Sequence, residues 1–454
     1  MTFTPFDLRA DPEDLRRNQC RRLAATVRRC AQAHPYYKRR LDPGLADRLD
    51  GGRLDALHDL AVTTKDDFVA DADAFRLRLD PDAAEEYVLW DVACTAGTSG
   101  GPLASIYQTS YDFRGILFAQ QRMAEIRGMR GDDRIMNLYP LTPQPHGAWM
   151  RCNHAAAVIG AAVVNGMSGS ASMGFPIDRR FEDVVSLAAT SSPTVLWGVP
   201  SYVRKVLQAV AGDGLRLPDL RMIAVSGEPC TPQLRRDLTA LGEQCSGKPV
   251  EVSDSLGASE LQAGLVECAH GSGHHNPAPE LFMLESLDAQ GAPVGDGDEG
   301  LLAITHVDRR GTVLLRYLLG DRVVLTHEPC PRCGLGGGRI LEHRGRAGTR
   351  TKIRGSLVDL QSVSAAVEGV RGVREYQIRI LGPDSQRDLD ELQVLLEDDE
   401  SEDALATRLA DAVTTAVGIR PQVEFVASGS LSGPALKVRR IVDERWQAAA
   451  DRKE

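Results

Sequence analysis

Cys94-Thr95-Ala96-Gly97-Thr98-Ser99-Gly100-Gly101-Pro102 sets hydroxyls and glycines together between two β-prone runs, Tyr87-Val88-Leu89-Trp90 and Ser105-Ile106-Tyr107-Gln108-Thr109. Glycines let a backbone turn and bring its N–H groups close to an anion, and hydroxyls add donors to phosphate oxygens. The run is not a Walker A loop, since no Gly-Lys-Ser/Thr follows at the required spacing. Taken alone it reads first as a hairpin turn. A second group of chemistry-bearing residues lies downstream. Cys330-Pro331-Arg332-Cys333 has the C-x-x-C spacing that lets two thiolates meet one tetrahedral metal, and Cys268-Ala269-His270-Gly271-Ser272-Gly273-His274-His275 offers another thiolate and imidazoles. The other readings of such a pair are a redox couple, here without a thioredoxin-like context, or unliganded buried thiols.

Further segments follow in a definite order. They are Ser226-Gly227-Glu228-Pro229, Asp254-Ser255-Leu256-Gly257-Ala258-Ser259-Glu260, Arg316-Tyr317-Leu318-Leu319-Gly320-Asp321, and Gly345-Arg346 running to Lys352-Ile353-Arg354-Gly355. Lys437 closes the series within Gly433-Pro434-Ala435-Leu436-Lys437-Val438-Arg439-Arg440-Ile441-Val442-Asp443. Each is common by itself. The ordered set resembles the phenylacetate–CoA ligase-like branch of the adenylate-forming enzymes, and the resemblance runs from about Leu15 to Arg445.

That resemblance implies two half-reactions. A carboxylate attacks the α-phosphate of ATP to give an acyl-adenylate and pyrophosphate, and a thiol then displaces AMP. The first step moves charge onto phosphoryl oxygens, so donors, Mg²⁺ and a cation are what it requires. By resemblance, Thr95, Thr98, Ser99 and Gly100 hold the β- and γ-phosphates, with Gly101 where relatives carry a Lys. Gly227, Glu228 and Pro229 match the adenine-contacting turn, and Asp254 and Ser255 the other face of the nucleotide. Leu256 stands where a Tyr is common, with Gly257 beside it in the substrate site. Glu260 aligns with the Mg²⁺-binding acid, and one acid suffices because Mg²⁺ keeps water and phosphate in its other positions. Asp321 aligns with the acid that accepts both ribose hydroxyls, and Arg346 with a second ribose or phosphate contact; without that context, Asp321 is a turn former in a Gly-Asp turn. Lys437 aligns with the catalytic lysine, an ammonium delivered to the α-phosphate by a mobile domain. Gly348-Thr349 replaces an acidic hinge pair, and glycine there still permits rotation.

The resemblance also implies a structural Zn²⁺ held by Cys268, His275, Cys330 and Cys333, with His274 a close rival for His275. The acyl site falls on Tyr139-Pro140-Leu141-Thr142-Pro143-Gln144-Pro145-His146-Gly147 and Trp197-Gly198-Val199-Pro200. Tyr139, His146 and Trp197 form an aromatic wall there or pack the core. An aryl or amino-substituted carboxylic acid is the expected substrate. ATP and CoA are the expected co-substrates, with delivery to a carrier protein or an amine, or a non-catalytic nucleotide-binding relative, as the alternatives. Relatives of this kind are often homodimers.

The elements that must position these residues are legible from pattern. At 454 residues the chain is too long for one typical core. The net charge of −10 argues against non-specific nucleic-acid binding, which needs a basic face. No apolar run reaches the length of a membrane span, and Met1–Asp7 has neither a basic leader nor an apolar core, so a cytoplasmic protein without membrane contact is expected. Nine cysteines in such a chain are not a disulfide framework; Cys20, Cys30, Cys152 and Cys245 read as buried apolar residues.

Residues 12–40 have helical spacing up to Pro35-Tyr36-Tyr37, and Thr63-Thr64-Lys65-Asp66-Asp67 reads as a helix start. From about Val88 to Glu342 short β-branched runs alternate with helical stretches, which predicts an α/β domain of layered, mixed or largely parallel sheets with flanking helices. The Ser226–Pro229 and Asp254–Glu260 segments fall where ligand loops at the carboxyl ends of strands are expected. After Arg346 a small α+β unit is expected. The predicted division is therefore 1–346, binding nucleotide, acyl group and zinc, and 347–454, a mobile lid carrying Lys437.

Overall fold

The computed structural model describes residues 5–78, 88–94, 104–140, 147–167, 179–346, 350–354, 356–382, 389–397, 403–427, 429–431 and 440–446. The chain divides into two compact units. One comprises Met1–Ser168, Arg179–Pro229 and Leu238–Arg344, the other Gly169–Asp178, Cys230–Asp237 and Gly345–Glu454.

The larger unit begins with the helix Pro12–Ala33. Asp11 caps it by accepting the Glu13 N–H, Pro12 opens it, and Glu13 and Asp14 sit in its first turn, where the helix dipole favours acids. It ends where Pro35 disfavours helical geometry at His34. Its apolar face buries Leu23, Val27 and Cys30 in a core shared with Tyr37, Phe68 and Phe75. The Tyr36-Tyr37 pair packs as aromatic filler, Tyr36 stacking on Phe75 at 4.2 Å. Thr64 starts the helix Lys65–Ala70 with a full capping box to Asp67.

Eleven described strands form one mixed sheet. From one edge the order is Phe282–Leu287, Glu299–His306, Tyr317–Thr326, Arg339–Arg346, His274–His275, Ala263–Glu267, Glu251–Ala258, Met222–Ser226, Val195–Gly198, Arg134–Asn137 and Ala162–Asn165. The last five strands pair in parallel. Helices Gly147–Ile159, Phe181–Ser191, Pro200–Gly212 and Pro232–Ser246 alternate with them along the chain, as parallel crossovers require. The sheet as a whole is mixed, within the expectation of mixed or largely parallel sheets. From Glu251–Ala258 the chain turns back antiparallel through Ala263–Glu267 and His274–His275, and Phe282–Leu287, Glu299–His306 and Tyr317–Thr326 are antiparallel in turn.

Two local expectations are corrected by this pairing. Asp254 to Ala258 is not a loop but the second half of a strand, and only Ser259 and Glu260 lie in the following turn. The strand is held on both sides, by Met222–Ser226 and by Ala263–Glu267, and two ladders outweigh the turn preference of Asp, Ser and Gly. Asp321 likewise sits inside the strand Tyr317–Thr326 rather than in a turn. The ladder there jumps from Leu301↔Arg322 to Ala303↔Leu318, so Gly320, with φ +83°, and Asp321 form a bulge that re-aims a side chain without ending the strand.

The smaller unit is α+β. Its four-stranded sheet runs Gln422–Val426, Glu391–Glu397, Glu375–Leu381 and Ile441–Asp443, with helices Leu360–Glu368 and Asp403–Val417. Val363, Val367, Ile378, Ile380, Val394, Leu409 and Val413 form its core.

Candidate functional site

The strand Met222–Ser226 is apolar and buried until Ser226, where the chain leaves the sheet at its carboxyl end. Gly227 makes the exit with φ +91°, a left-handed conformation that side chains resist. Ser226 stands opposite Ser255 in the neighbouring parallel strand, and Val225 opposite Asp254. The Ser255 hydroxyl donates to the Val225 carbonyl at 3.0 Å, and the Ser255 N–H to Asp254 Oδ1 at 2.8 Å. Gly257 is exposed, and a β-carbon added there would meet no described atom within 4 Å. Bare backbone with open space beside it is what close approach of a ligand needs.

Glu260, just beyond, is tied from two directions. Its Oε1 accepts the Tyr317 hydroxyl at 3.2 Å, and its backbone carbonyl accepts His306 Nε2–H at 2.9 Å. Asp321, four residues past Tyr317, is 7% exposed, and His343 Nε2 meets its Oδ1 at 3.0 Å. His343 was missed in the sequence, where nothing links it to Asp321 across the fold. Arg346 ends the strand Arg339–Arg346 as an exposed residue of the smaller unit, whereas Asp321 belongs to the larger one.

Tyr139 and Trp197 are both buried, with ring centroids 6.5 Å apart at 61°. The Tyr139 hydroxyl bonds the Ser226 hydroxyl, which brings this aromatic pair to the same strand end as Gly227. Burial raises the Tyr139 phenol above its ordinary value, so it stays protonated at neutral pH. Leu256 is half-buried beside Ser255. Arg127 lies in this group as well, with its guanidinium carbon 5.1 Å from the Trp197 ring centre. Sequence reading gave no sign of it, because an Arg closing a helix ordinarily serves the helix dipole from the surface.

A separate cluster forms around His275. Cys268, His275, Cys330 and Cys333 place one ligand atom each, all within 4.8 Å of one another. Cys268 follows the strand Ala263–Glu267, and its N–H donates to Ser272 Oγ at 3.1 Å. His275 is carried by a two-residue strand pairing with Val266 and Arg339. Gly273 has to be glycine: φ is +77°, and an added β-carbon would lie 2.6 Å from the Ile340 carbonyl. Cys330 to Gly334 turn on the bond from Gly334 N–H to the Cys330 carbonyl, 2.8 Å.

His275 and His274 point apart, as neighbours on a strand must. His275 Nδ1 meets the Val266 carbonyl at 3.1 Å and its Nε2 lies 3.3 Å from Cys333 Sγ. His274 Nε2 instead meets Asp254 Oδ2 at 3.2 Å. Burial lowers the His275 pKa, which keeps the ring neutral and its Nε2 lone pair available. Burial pushes Cys333 up to about 12, with the neighbouring thiols adding to it. Burial raises Cys330 too, but the N–H groups of Cys333 and Arg332, together with the Cys333 thiol and the Arg339 charge, more than offset this and leave it lowered. Cys20, Cys30, Cys152 and Cys245 are buried free thiols, as their apolar surroundings predict.

The proposed phosphate residues Thr95, Thr98, Ser99 and Gly100 lie outside the described residues, as do Gly101, His146, Gly348, Thr349 and Lys437. The segments flanking the first group pair antiparallel, with Cys94 opposite Ser105. Just past Lys437, Ile441–Asp443 pairs in parallel with Glu375–Leu381, and Arg440 is anchored by its carbonyl on the Ile378 N–H at 2.7 Å.

Residues 360–445 match the family described as AMP-binding enzyme C-terminal domain. The chain is 26% identical to a phenylacetate–coenzyme A ligase of Thermus thermophilus over 458 aligned positions, covering 95% of this chain and 97% of that protein. It is 24% identical to the phenylacetate–coenzyme A ligase of Escherichia coli, covering 96% of each. Among solved structures, a 2-hydroxyisobutyryl-CoA ligase in the postadenylation state shares the fold with a TM-score of 0.76, at 22% identity over 96% of this chain and 90% of that one. No described helix is long and apolar enough to cross a membrane.

Proposed function

Since the chain is a homologue of the phenylacetate–CoA ligases within the adenylate-forming enzymes, we propose that it is an AMP-forming acid–thiol ligase. An acid carboxylate oxygen attacks the α-phosphorus of ATP and expels pyrophosphate. The sulfur of CoA then attacks the acyl carbon of the mixed anhydride, loses its proton and releases AMP. The observation that carries this reading is similarity along nearly the whole chain, including a C-terminal domain match that spans Lys437.

In this reading Gly227, Glu228 and Pro229 receive the adenine, with Asp254 and Ser255 along its other face. The left-handed exit at Gly227 and the open face of Gly257 support that assignment. Asp321 takes the ribose hydroxyls and Arg346 a second nucleotide contact. Thr95, Thr98, Ser99 and Gly100 hold the outer phosphates. Tyr139, His146, Trp197 and Leu256 surround the acyl group. Lys437 neutralises charge at the α-phosphate, since an ammonium on a flexible stem can be brought in and withdrawn.

Glu260 would hold Mg²⁺, for which a single carboxylate with water and phosphate oxygens is a sufficient set. Three sulfurs and one imidazole nitrogen within 4.8 Å suit tetrahedral Zn²⁺, and the carbonyl on His275 Nδ1 is the outer contact such a ligand ordinarily makes. Cys268, His275, Cys330 and Cys333 would hold it, and its contribution is structural because four protein ligands leave no open position. Nine cysteines outside any disulfide fit a reducing compartment, which supports the cytoplasm as the site of action.

The test is pyrophosphate release over a panel of acids, with and without CoA. Acid-dependent release, followed by CoA-dependent thioester, is expected. Release without any thioester would redirect the second step to a carrier protein or an amine. Silence across the panel with nucleotide binding retained would replace the ligase by a nucleotide-binding relative.

A further inference from the structure

Arg127 closes the helix Ser110–Ile126, yet only 3% of the residue is exposed. Its Nε donates to Ser253 Oγ at 3.1 Å, and its guanidinium lies over the Trp197 ring. The two terminal nitrogens are buried and have no hydrogen-bond partner among the described residues. The nearest opposing charges act only through space: Asp254 is engaged by His274, and Glu267 accepts the Asp254 N–H at 2.9 Å. A buried cation without a contacting anion is strongly unfavourable, so something must reward it.

The surroundings say what would. With its face on an aromatic ring and Nε tied down, the guanidinium presents a fixed N–H edge, the geometry that grips a carboxylate by two parallel bonds. Tyr139, a protonated phenol, packs against the same Trp197 and reaches Ser226 at the end of its strand. A substrate lying along Tyr139 and Trp197 would run toward the ring that carries the Arg127 guanidinium. A protonated amine there would be repelled.

We propose that Arg127 is a specificity-determining residue that binds a second carboxylate at the far end of the acid, so that the preferred substrate is a dicarboxylic acid. This rests on the reading of Tyr139 and Trp197 as the acyl wall. The contrary view is a structural arginine whose nitrogens meet only water.

Binding to the full chain is measured by calorimetry for two matched pairs, benzoate against terephthalate and hexanoate against adipate. The diacid of at least one pair is expected to bind about 30-fold tighter or more, as for truncation of a buried charge pair. Arg127→Met, which fills the volume without charge, removes the difference, and Arg127→Lys retains part of it. Equal affinity for monoacid and diacid in the natural protein overturns the proposal, and this comparison stands even where Arg127→Met does not fold. A diacid preference that survives Arg127→Met overturns it too. Pyrophosphate release with the same acids separates the two readings. Tight Arg127-dependent diacid binding without release counts against the ligase alone, whereas release from monoacids only counts against Arg127 alone.

Discussion

His275 Nε2 lies 3.3 Å from Cys333 Sγ while the opposite ring nitrogen meets the Val266 carbonyl at 3.1 Å. The imidazole is thereby oriented from behind, with its lone pair toward three sulfurs, and His274 beside it is committed to Asp254. If this is a zinc site, protein purified without chelator carries one equivalent of zinc. Cys268→Ser and His275→Ala lose it, and His274→Ala keeps it. Chelation should lower the melting temperature, because the site links the chain around Cys268 to Cys330 some sixty residues on. Absence of zinc from the natural protein by elemental analysis removes the assignment.

Lys437→Ala is expected to slow acid-dependent pyrophosphate release by roughly 100- to 1000-fold, the scale of one lost transition-state donor. Thioester formation from a presynthesised acyl-adenylate and CoA should change far less if the lysine serves only the first half-reaction. Release at the natural rate in the variant would falsify its catalytic role.

Asp321 and His343 make a further pair, 3.0 Å apart on neighbouring strands. A carboxylate that receives two ribose hydroxyls should, when replaced by Ala, raise the KM for ATP by about 10-fold or more. His343→Ala leaves the carboxylate but frees its orientation, so a smaller rise in the same constant is expected. If both variants keep the natural KM, the nucleotide does not lie against Asp321.

Stability should depend on pH through His34. The residue is fully buried, its Nδ1 accepts the Tyr37 N–H at 3.1 Å, and its Nε2 meets the Val313 carbonyl at 3.2 Å, a pattern only the neutral ring can make. Burial lowers its pKa from 6.5 to about 4. The unfolded chain therefore binds the proton more readily between these values. Stability is fully present above pH 6.5 and falls as pH drops toward 4, by roughly 3 kcal/mol from this one group. Urea midpoints measured across that range should slope in the natural protein and slope less steeply in His34→Gln, where His154 and His306, also lowered by burial, keep their share. Equal slopes would assign the acid sensitivity elsewhere.

What was legible in the sequence was local. Short runs of apolar, β-prone residues, Met222 to Val225 and Thr194 to Trp197, marked the strands Met222–Ser226 and Val195–Gly198, and Thr64 with acids after it marked a helix start because a cap needs only a few consecutive residues. C-x-x-C spacing showed that Cys330 and Cys333 can share a partner, since two residues of turn set the distance between them.

Tertiary structure decided what depends on neighbours far along the chain. It made Asp254 to Ala258 a strand by supplying ladders on both sides, and it put Asp321 on a bulge beside His343. It chose between His274 and His275, because strand pairing with Val266 fixes which of two adjacent side chains faces the thiols. It also buried Arg127 against Trp197, a contact between residues seventy apart that no window of sequence contains. Propensity and spacing act over a few residues; orientation and burial are set by which distant segments the sheet brings side by side.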